Sequence, residues 1–214
     1  MGLNSARLTL SSPVIAARLQ EYAISSALLQ ELEHLSALPW VAHVNHRDYQ
    51  GDWQVLPLRS LEIHHKAHPI LQGFAHDGGG DWRELPVLEA APCLQALLKS
   101  IPTHLKSARL MRLGPGAQIK PHRDVDIAWE SGEARLHLPL RTDPRVMFRV
   151  GGKQVPMGLG ELWYMDASEE HSVINASPEE RIHLVVDCEV NEWLRSAVAG
   201  RADLNFITAS VDPA

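Results

Sequence analysis

Cysteine is scarce in this 214-residue chain: two in all, Cys93 in the apolar "APCLQALL" and Cys188 in "LVVDCEV", with no CxxC pair. That usage fits two packed thiols in a reducing compartment and gives no sign of structural zinc. Long apolar runs are missing too. No stretch of about 18 apolar residues could span a bilayer, and "MGLNSARLTLSSPVIAARLQ" lacks the apolar segment and cleavage site of a secretory leader. A cytoplasmic protein with no membrane partner is expected. "MGLNSA" satisfies a loose myristoylation pattern with Ser5 one place early, but no polybasic stretch follows, so it is discounted. Positive charge is not in excess either. A formal net charge of -6 offers no footprint for nucleic acid or an anionic surface. With 45% hydrophobic and 21% charged residues, a soluble globular fold with a substantial core remains, acting on a small molecule.

Residues 14–35, "VIAARLQEYAISSALLQELEHL", carry apolar positions at three- and four-residue spacings and predict an amphipathic helix. A second helix is predicted over 87–101, with Pro92 as a boundary or kink. Between them the chain is irregular apart from a strand-like Trp53–Ser60, and Gly78-Gly79-Gly80 reads as a mobile loop. From about 106 the texture changes to seven or eight short apolar-alternating segments separated by "GPG", "VGG" and "GLG", which point to a sandwich or barrel. "NEWLRSAVAG" predicts a closing helix ended by Gly200. The expected organisation is one structural domain. Residues 1–105 form a helical and irregular segment packed on a barrel, 106–190 form the catalytic core, and 191–214 form a helix and tail.

Histidine is the surplus, with twelve residues, and the tripeptide His-Arg-Asp occurs twice, at 46–48 and 122–124. A kinase-like catalytic loop needs Asn five residues beyond the Asp, and both copies have tryptophan there. His-x-Asp is also two-thirds of a facial triad for iron(II), because residues i and i+2 of an extended segment face the same side. Twelve histidines and eleven aspartates give on the order of 0.6 accidental matches, so context has to separate the copies. His46-Arg47-Asp48 lies in the polar "NHRDYQGDW" and reads as a solvated loop. His122-Arg123-Asp124 ends a strand-like segment and has downstream partners: His171 at the start of "HSVINA", and Arg181 ten residues on, opening "RIHLVVD". A dicarboxylic cosubstrate held in an apolar barrel needs a guanidinium to meet its carboxylate, and Arg181 is the candidate. Arg135 and His137 share one face of "EARLHLPL"; alternation alone leaves open whether that face is inner or solvated.

The ordered motifs "PHRD", "RLHLPL", "MGLGELWYMDASEEHS" and "RIHLVVD" resemble the aspartyl/asparaginyl β-hydroxylase family of iron(II)- and 2-oxoglutarate-dependent dioxygenases, including its short bacterial proline cis-hydroxylases. The resemblance is strongest over 106–190 and extends weakly to "GDWQVLPLR". It implies a mainly β fold with flanking helices, built on a double-stranded β-helix (a jelly-roll, cupin-like barrel). It also implies His122, Asp124 and His171 on Fe(II), Arg181 on the distal carboxylate of 2-oxoglutarate, and Arg135 and His137 lining the cosubstrate pocket. The implied reaction consumes O2 and hydroxylates a C–H of an amino-acid side chain, in a free amino acid or a small peptide. The presence of Asp124 favours the three-ligand site and hydroxylation over halogenation. Asp126 is a rival carboxylate that fits a strand less well. Glu170 could orient His171, although Glu169 and Glu170 read more simply as exposed turn residues. Trp53, Arg59 and Trp129, with Glu130, are candidates to touch substrate. The competing reading is a non-oxygenase cupin-type metal barrel, an isomerase, lyase or small-molecule sensor; a third is a non-catalytic binding protein. Cupins commonly lack a dedicated arginine ten residues after the last ligand, so Arg181 separates the first two.

Overall fold

The computed structural model describes residues 14–75, 80–124, 127–200 and 206–208. The "MGLNSA" opening, Gly78, Gly79 and Asp126 lie outside the described residues. In chain order the elements are β1 (Val14–Glu21), α1 (Ser26–Ser36), β2 (Val41–Ala42), β3 (Tyr49–Gln50), β4 (Trp53–Leu61), α2 (Pro69–Phe74) and β5 (Trp82–Glu84). They continue with α3 (Pro86–Glu89), α4 (Pro92–Lys99), β6 (Leu105–Leu113), β7 (Gln118–His122), β8 (Glu133–Arg141), β9 (Val146–Val150) and β10 (Lys153–Gln154). The last are β11 (Glu161–Met165), β12 (His171–Asn175), β13 (Arg181–Glu189), α5 (Glu192–Ala199) and β14 (Phe206–Thr208).

Two antiparallel sheets result. The larger has nine strands, in the order β14-β1-β11-β8-β13-β6-β4-β2 with β5 added to β4; the smaller has five, β10-β9-β12-β7-β3. Period-two alternation makes each central strand of the large sheet two-faced. Ile182, Leu184, Val186 and Cys188 of β13 join Leu136, Leu138 and Leu140 of β8 under the helices. There they meet Leu28, Leu32 and Leu35 of α1, Leu94, Leu97 and Leu98 of α4, and Leu194 and Val198 of α5. The opposite face packs Val55, Met111 and Val185 against Ile119, Phe148, Val150 and Val173 of the small sheet. The architecture is therefore a jelly roll whose two sheets are not closed into one, with α1, α3, α4 and α5 on one side and α2 placing Phe74 against the inter-sheet core. The cavity lies between the sheets, where inner-face side chains of β6, β8 and β13 meet β7 and β12.

Helix ends follow local chemistry. Ser25 caps α1 by accepting from the Leu28 N–H at 3.1 Å. Pro92 separates α3 from α4 at the boundary expected for it, and the Glu31 carboxylate accepts from the Cys93 and Leu94 N–H groups at 2.8 and 3.0 Å. The closing helix and its Gly200 end are as predicted.

One predicted helix is corrected. Residues 14–21 form strand β1, and only Ser26–Ser36 is helical. β1 lies between β11 and β14, with Ile15 and Ala16 in the inter-sheet core and Val14, Ala17 and Leu19 in the helix-side core. Burial on both faces erases the alternation that marks a strand, and a short apolar run then mimics a helix. The segment before residue 105 is accordingly woven into the sheets: β1, β2, β4 and β5 extend the large one and β3 the small one.

Candidate active site

The second His-Arg-Asp ends β7, and β12 lies beside it in a register that sets His171 directly opposite His122. Their rings are 4.2 Å apart at the centroids. The His122 Nδ1–H donates to the Lys120 carbonyl and the His171 Nδ1–H to the Glu169 carbonyl, each at 2.9 Å. Two backbone bonds therefore fix both tautomers and leave both Nε2 lone pairs free. Glu170 is exposed and plays no part in this; the orienting group is a backbone carbonyl. Both lone pairs face Asp124, with His122 Nε2 3.8 Å from Oδ1 and His171 Nε2 3.9 Å from Oδ2. The three ligand atoms lie within 4.8 Å of one another, close enough to hold a metal ion. Burial, with the His122 charge adding to it, pushes His171 down to about 4, so its imidazole is neutral at pH 7. Burial would raise the Asp124 carboxyl, but Arg135, His171, His122 and Arg109 outweigh it and hold the group below the usual carboxylate range.

Behind Asp124 runs a buried charge network. Arg135 donates through Nη1 to Asp124, and through Nε and Nη2 to Asp187 at 2.7 and 3.1 Å. Asp187, with no exposed surface, also accepts from Arg109 Nη1 and Ser107 Oγ, each at 2.8 Å. Arg135 lines the cavity, and its hydrogen bonds among the described residues run to two carboxylates, Asp124 and Asp187. Sequence reading missed Arg109 and Asp187. Their signal was parity: Ser107 and Arg109 alternate with Ala108 and Leu110, and Asp187 shares the face of Arg181.

The other end of the cavity has the opposite character. Arg181 is 2% exposed and lines the cavity, yet among the described residues no carboxylate reaches it. Its Nη2 donates to His183 Nδ1 at 2.6 Å, and its Nε has no partner. Burial alone pulls the guanidinium down to about 9, still charged at pH 7. Among the described residues neither ring nitrogen of His137 has a partner, nor does His183 Nε2. Burial holds both histidines neutral, well below the ordinary range. Buried polar groups without partners cost free energy on the order of 1–3 kcal/mol each, and more when charged, so this end is built for an anionic ligand with acceptor atoms.

The cavity, about 330 Å³, is also lined by Trp53, Phe74, Ile127, Met111 and His43. His43, absent from the sequence expectations, stacks on the Trp53 indole at 3.4 Å and 7°. Trp53, a candidate to touch substrate, is in the cavity wall, with its Nε1 unpartnered among the described residues. Arg59 and Trp129 are not. A register slip between Pro57 and Arg59 sets Arg59 opposite Ala108 on the helix-covered face. Its guanidinium is spent there on the Lys106, Leu105 and Trp82 carbonyls and on Glu84. Trp129 packs edge-on to Tyr164, with Arg195 over its ring, and Glu130 is exposed beside it. The first His-Arg-Asp is a turn: His46 bonds the Tyr49 hydroxyl, and the Asp48 carbonyl accepts from the Lys120 N–H at 2.7 Å, pinning β7.

Two facing sheets around a His-x-Asp pair and a cross-strand histidine define a cupin-like jelly roll with a candidate metal centre. A solved oxidoreductase of the 2OG-Fe(II) oxygenase family from Burkholderia pseudomallei has the same fold, with a TM-score of 0.52 and 15% identity over 83% of this chain and 86% of that one. The family profile for aspartyl/asparaginyl beta-hydroxylases matches residues 21–190, and the chain belongs to that family. Among curated relatives, L-proline cis-4-hydroxylase of Rhizobium meliloti (strain 1021) is 32% identical over 116 residues, 52% of this chain and 40% of the relative. L-proline cis-3-hydroxylase 1 of Streptomyces sp is 26% identical over 164 residues, 74% of this chain and 54% of the relative. The chain spans about half the length of these curated relatives. No helix among the described residues is long and apolar enough to cross a membrane.

Proposed function

We propose that this chain is an iron(II)- and 2-oxoglutarate-dependent dioxygenase that hydroxylates a C–H of a small free amino acid, proline or a close analogue. One observation carries the reading. A facial His122-Asp124-His171 set opens into the same cavity as a buried arginine that no carboxylate reaches among the described residues. The donor set fits iron(II): two imidazoles whose Nδ1–H groups are held by backbone carbonyls, with Nε2 turned to the site, and one carboxylate leave coordination positions open. The far end fits a dicarboxylate, since Arg181 and His137 present unpartnered nitrogens to the cavity. The relatives named as proline hydroxylases support the substrate class.

In this reading His122, Asp124 and His171 hold the iron, and Arg135 orients the Asp124 carboxylate from behind. Arg181 meets the distal carboxylate of 2-oxoglutarate, and His137 offers a hydrogen bond along its length. Trp53, Phe74 and Ile127 exclude water and present the substrate carbon. Bound iron(II) supplies activation of O2, so that 2-oxoglutarate, O2 and R–H become succinate, CO2 and R–OH. The test is succinate formation with iron(II), screened over the proteinogenic amino acids, with anaerobic 2-oxoglutarate binding measured alongside. Turnover coupled to proline or a near analogue is expected; no 2-oxoglutarate binding and no coupling by any amino acid would sink the reading.

A further inference from the structure

His183 has no counterpart among the expected site residues, yet it is the only side chain among the described residues that hydrogen-bonds Arg181. Strand parity places Arg181, His183, Val185 and Asp187 on the same face of β13. Four residues apart, this face meets arginines in two ways. Asp187 ion-pairs with both Arg109 and Arg135, the latter shared with Asp124, whereas His183 accepts from Arg181 and returns no charge.

We propose that His183 is a positioning residue, a neutral acceptor that holds the Arg181 guanidinium in place while leaving its charge uncompensated for the distal carboxylate of the cosubstrate. The inference rests on the reading above. A guanidinium only donates, so His183 Nδ1 must accept and the ring proton must sit on Nε2; a single tautomer satisfies the contact. The ring is fixed from both sides. It lies parallel to Phe148 at 6.5 Å and edge-on to His137 at 5.8 Å, and Phe148 also flanks the guanidinium at 5.8 Å. A carboxylate in place of this imidazole would close the ion pair within the protein, as Asp187 does nearby, and remove the reason for an anion to enter. The neutral acceptor thus gives the cavity its demand for a cosubstrate with a second carboxylate.

The decisive pair is His183→Asn and His183→Asp, which place an oxygen where Nδ1 sits and differ from each other in charge. Anaerobic, manganese-loaded protein is titrated with 2-oxoglutarate by calorimetry, and the thermal midpoint of the metal-free protein is recorded. His183→Asn is expected to bind within about fivefold of wild type. His183→Asp should bind at least about 50-fold more weakly with unchanged manganese affinity and an equal or higher midpoint. Equal affinities in the two variants would overturn the proposal, since a merely structural residue would not sense the charge. Should His183→Asp fail to fold, His183→Phe decides: wild-type affinity without the acceptor refutes the positioning role, and weakened binding with intact metal affinity supports it. Wild-type protein that takes up manganese but not 2-oxoglutarate would instead refute the underlying functional reading.

Discussion

The two ends of the cavity treat buried charge in opposite ways. Around Asp187, two arginines and a serine complete a network in which every carboxylate oxygen is held. Around Arg181, a full positive charge sits beside neutral imidazoles, with Arg181 Nε, His183 Nε2 and both nitrogens of His137 unpartnered among the described residues. The first arrangement pairs its charges within the protein, although Arg109 Nε has no partner among the described residues, and it carries Asp124 on its outer edge through Arg135. The second is incomplete without a ligand. A buried ion pair stabilises weakly but is costly to break, whereas a buried lone charge lowers stability until something binds it. In the proposed function, the contrast separates residues that build the site from residues that bind within it.

The strongest test sits where the two ends meet. Asp124→Ala should abolish iron-dependent hydroxylation, whereas Asp48→Ala, in the identical tripeptide, should leave it largely intact. Equal losses in two folded variants would remove the distinction between the copies. Arg181→Ala should raise the 2-oxoglutarate requirement on the order of 100-fold while changing metal affinity little, and its metal-free thermal midpoint should hold or rise because a lone buried charge is gone. Asp187→Asn should do the reverse, lowering stability by about 3–5 kcal/mol through the arginines it strands. Denaturant unfolding of both variants decides, and similar midpoints would collapse the contrast.

A smaller effect concerns pH. Burial, reinforced by Arg109, pushes His43 down to about 3, below its unfolded value near 6.5. Its contribution to stability is complete above about pH 6.5 and declines as pH falls toward 3, by up to about 1.4 kcal/mol per pH unit. Urea unfolding of His43→Phe between pH 7 and 5 should fall less than wild type; parallel declines would count against a buried neutral His43. Smallest of all, Arg59→Ala should leave the substrate KM within about twofold, since its partners are backbone carbonyls and Glu84 outside the cavity. A large KM change would restore it as a substrate contact.

Much of this site was legible in the sequence, for reasons that particular residues show. His122 and Asp124 share a face by spacing, and alternation in "RLHLPL" and "RIHLVVD" carries Arg135, His137 and Arg181 on common faces of β8 and β13. What spacing could not supply was which face looks inward. It also hid Arg59, because one slipped register position in β4 moves a side chain from the cavity side to the helix side. Strand β1 escaped because burial on both faces leaves no period to detect. His43 escaped because its place depends on stacking with Trp53 across the chain and on no local repeat.

The sequence by itself determined the order of polar and apolar positions along each strand, the i, i+2 pairing of His122 with Asp124, and the family to which those ordered motifs belong. Only the tertiary structure decided that His171 lies opposite His122, that Arg135 bonds two carboxylates, and that Arg181 meets none among the described residues. The reason is physical. Periodicity is a property of the chain, whereas the compensation of a buried charge depends on which strands are brought side by side.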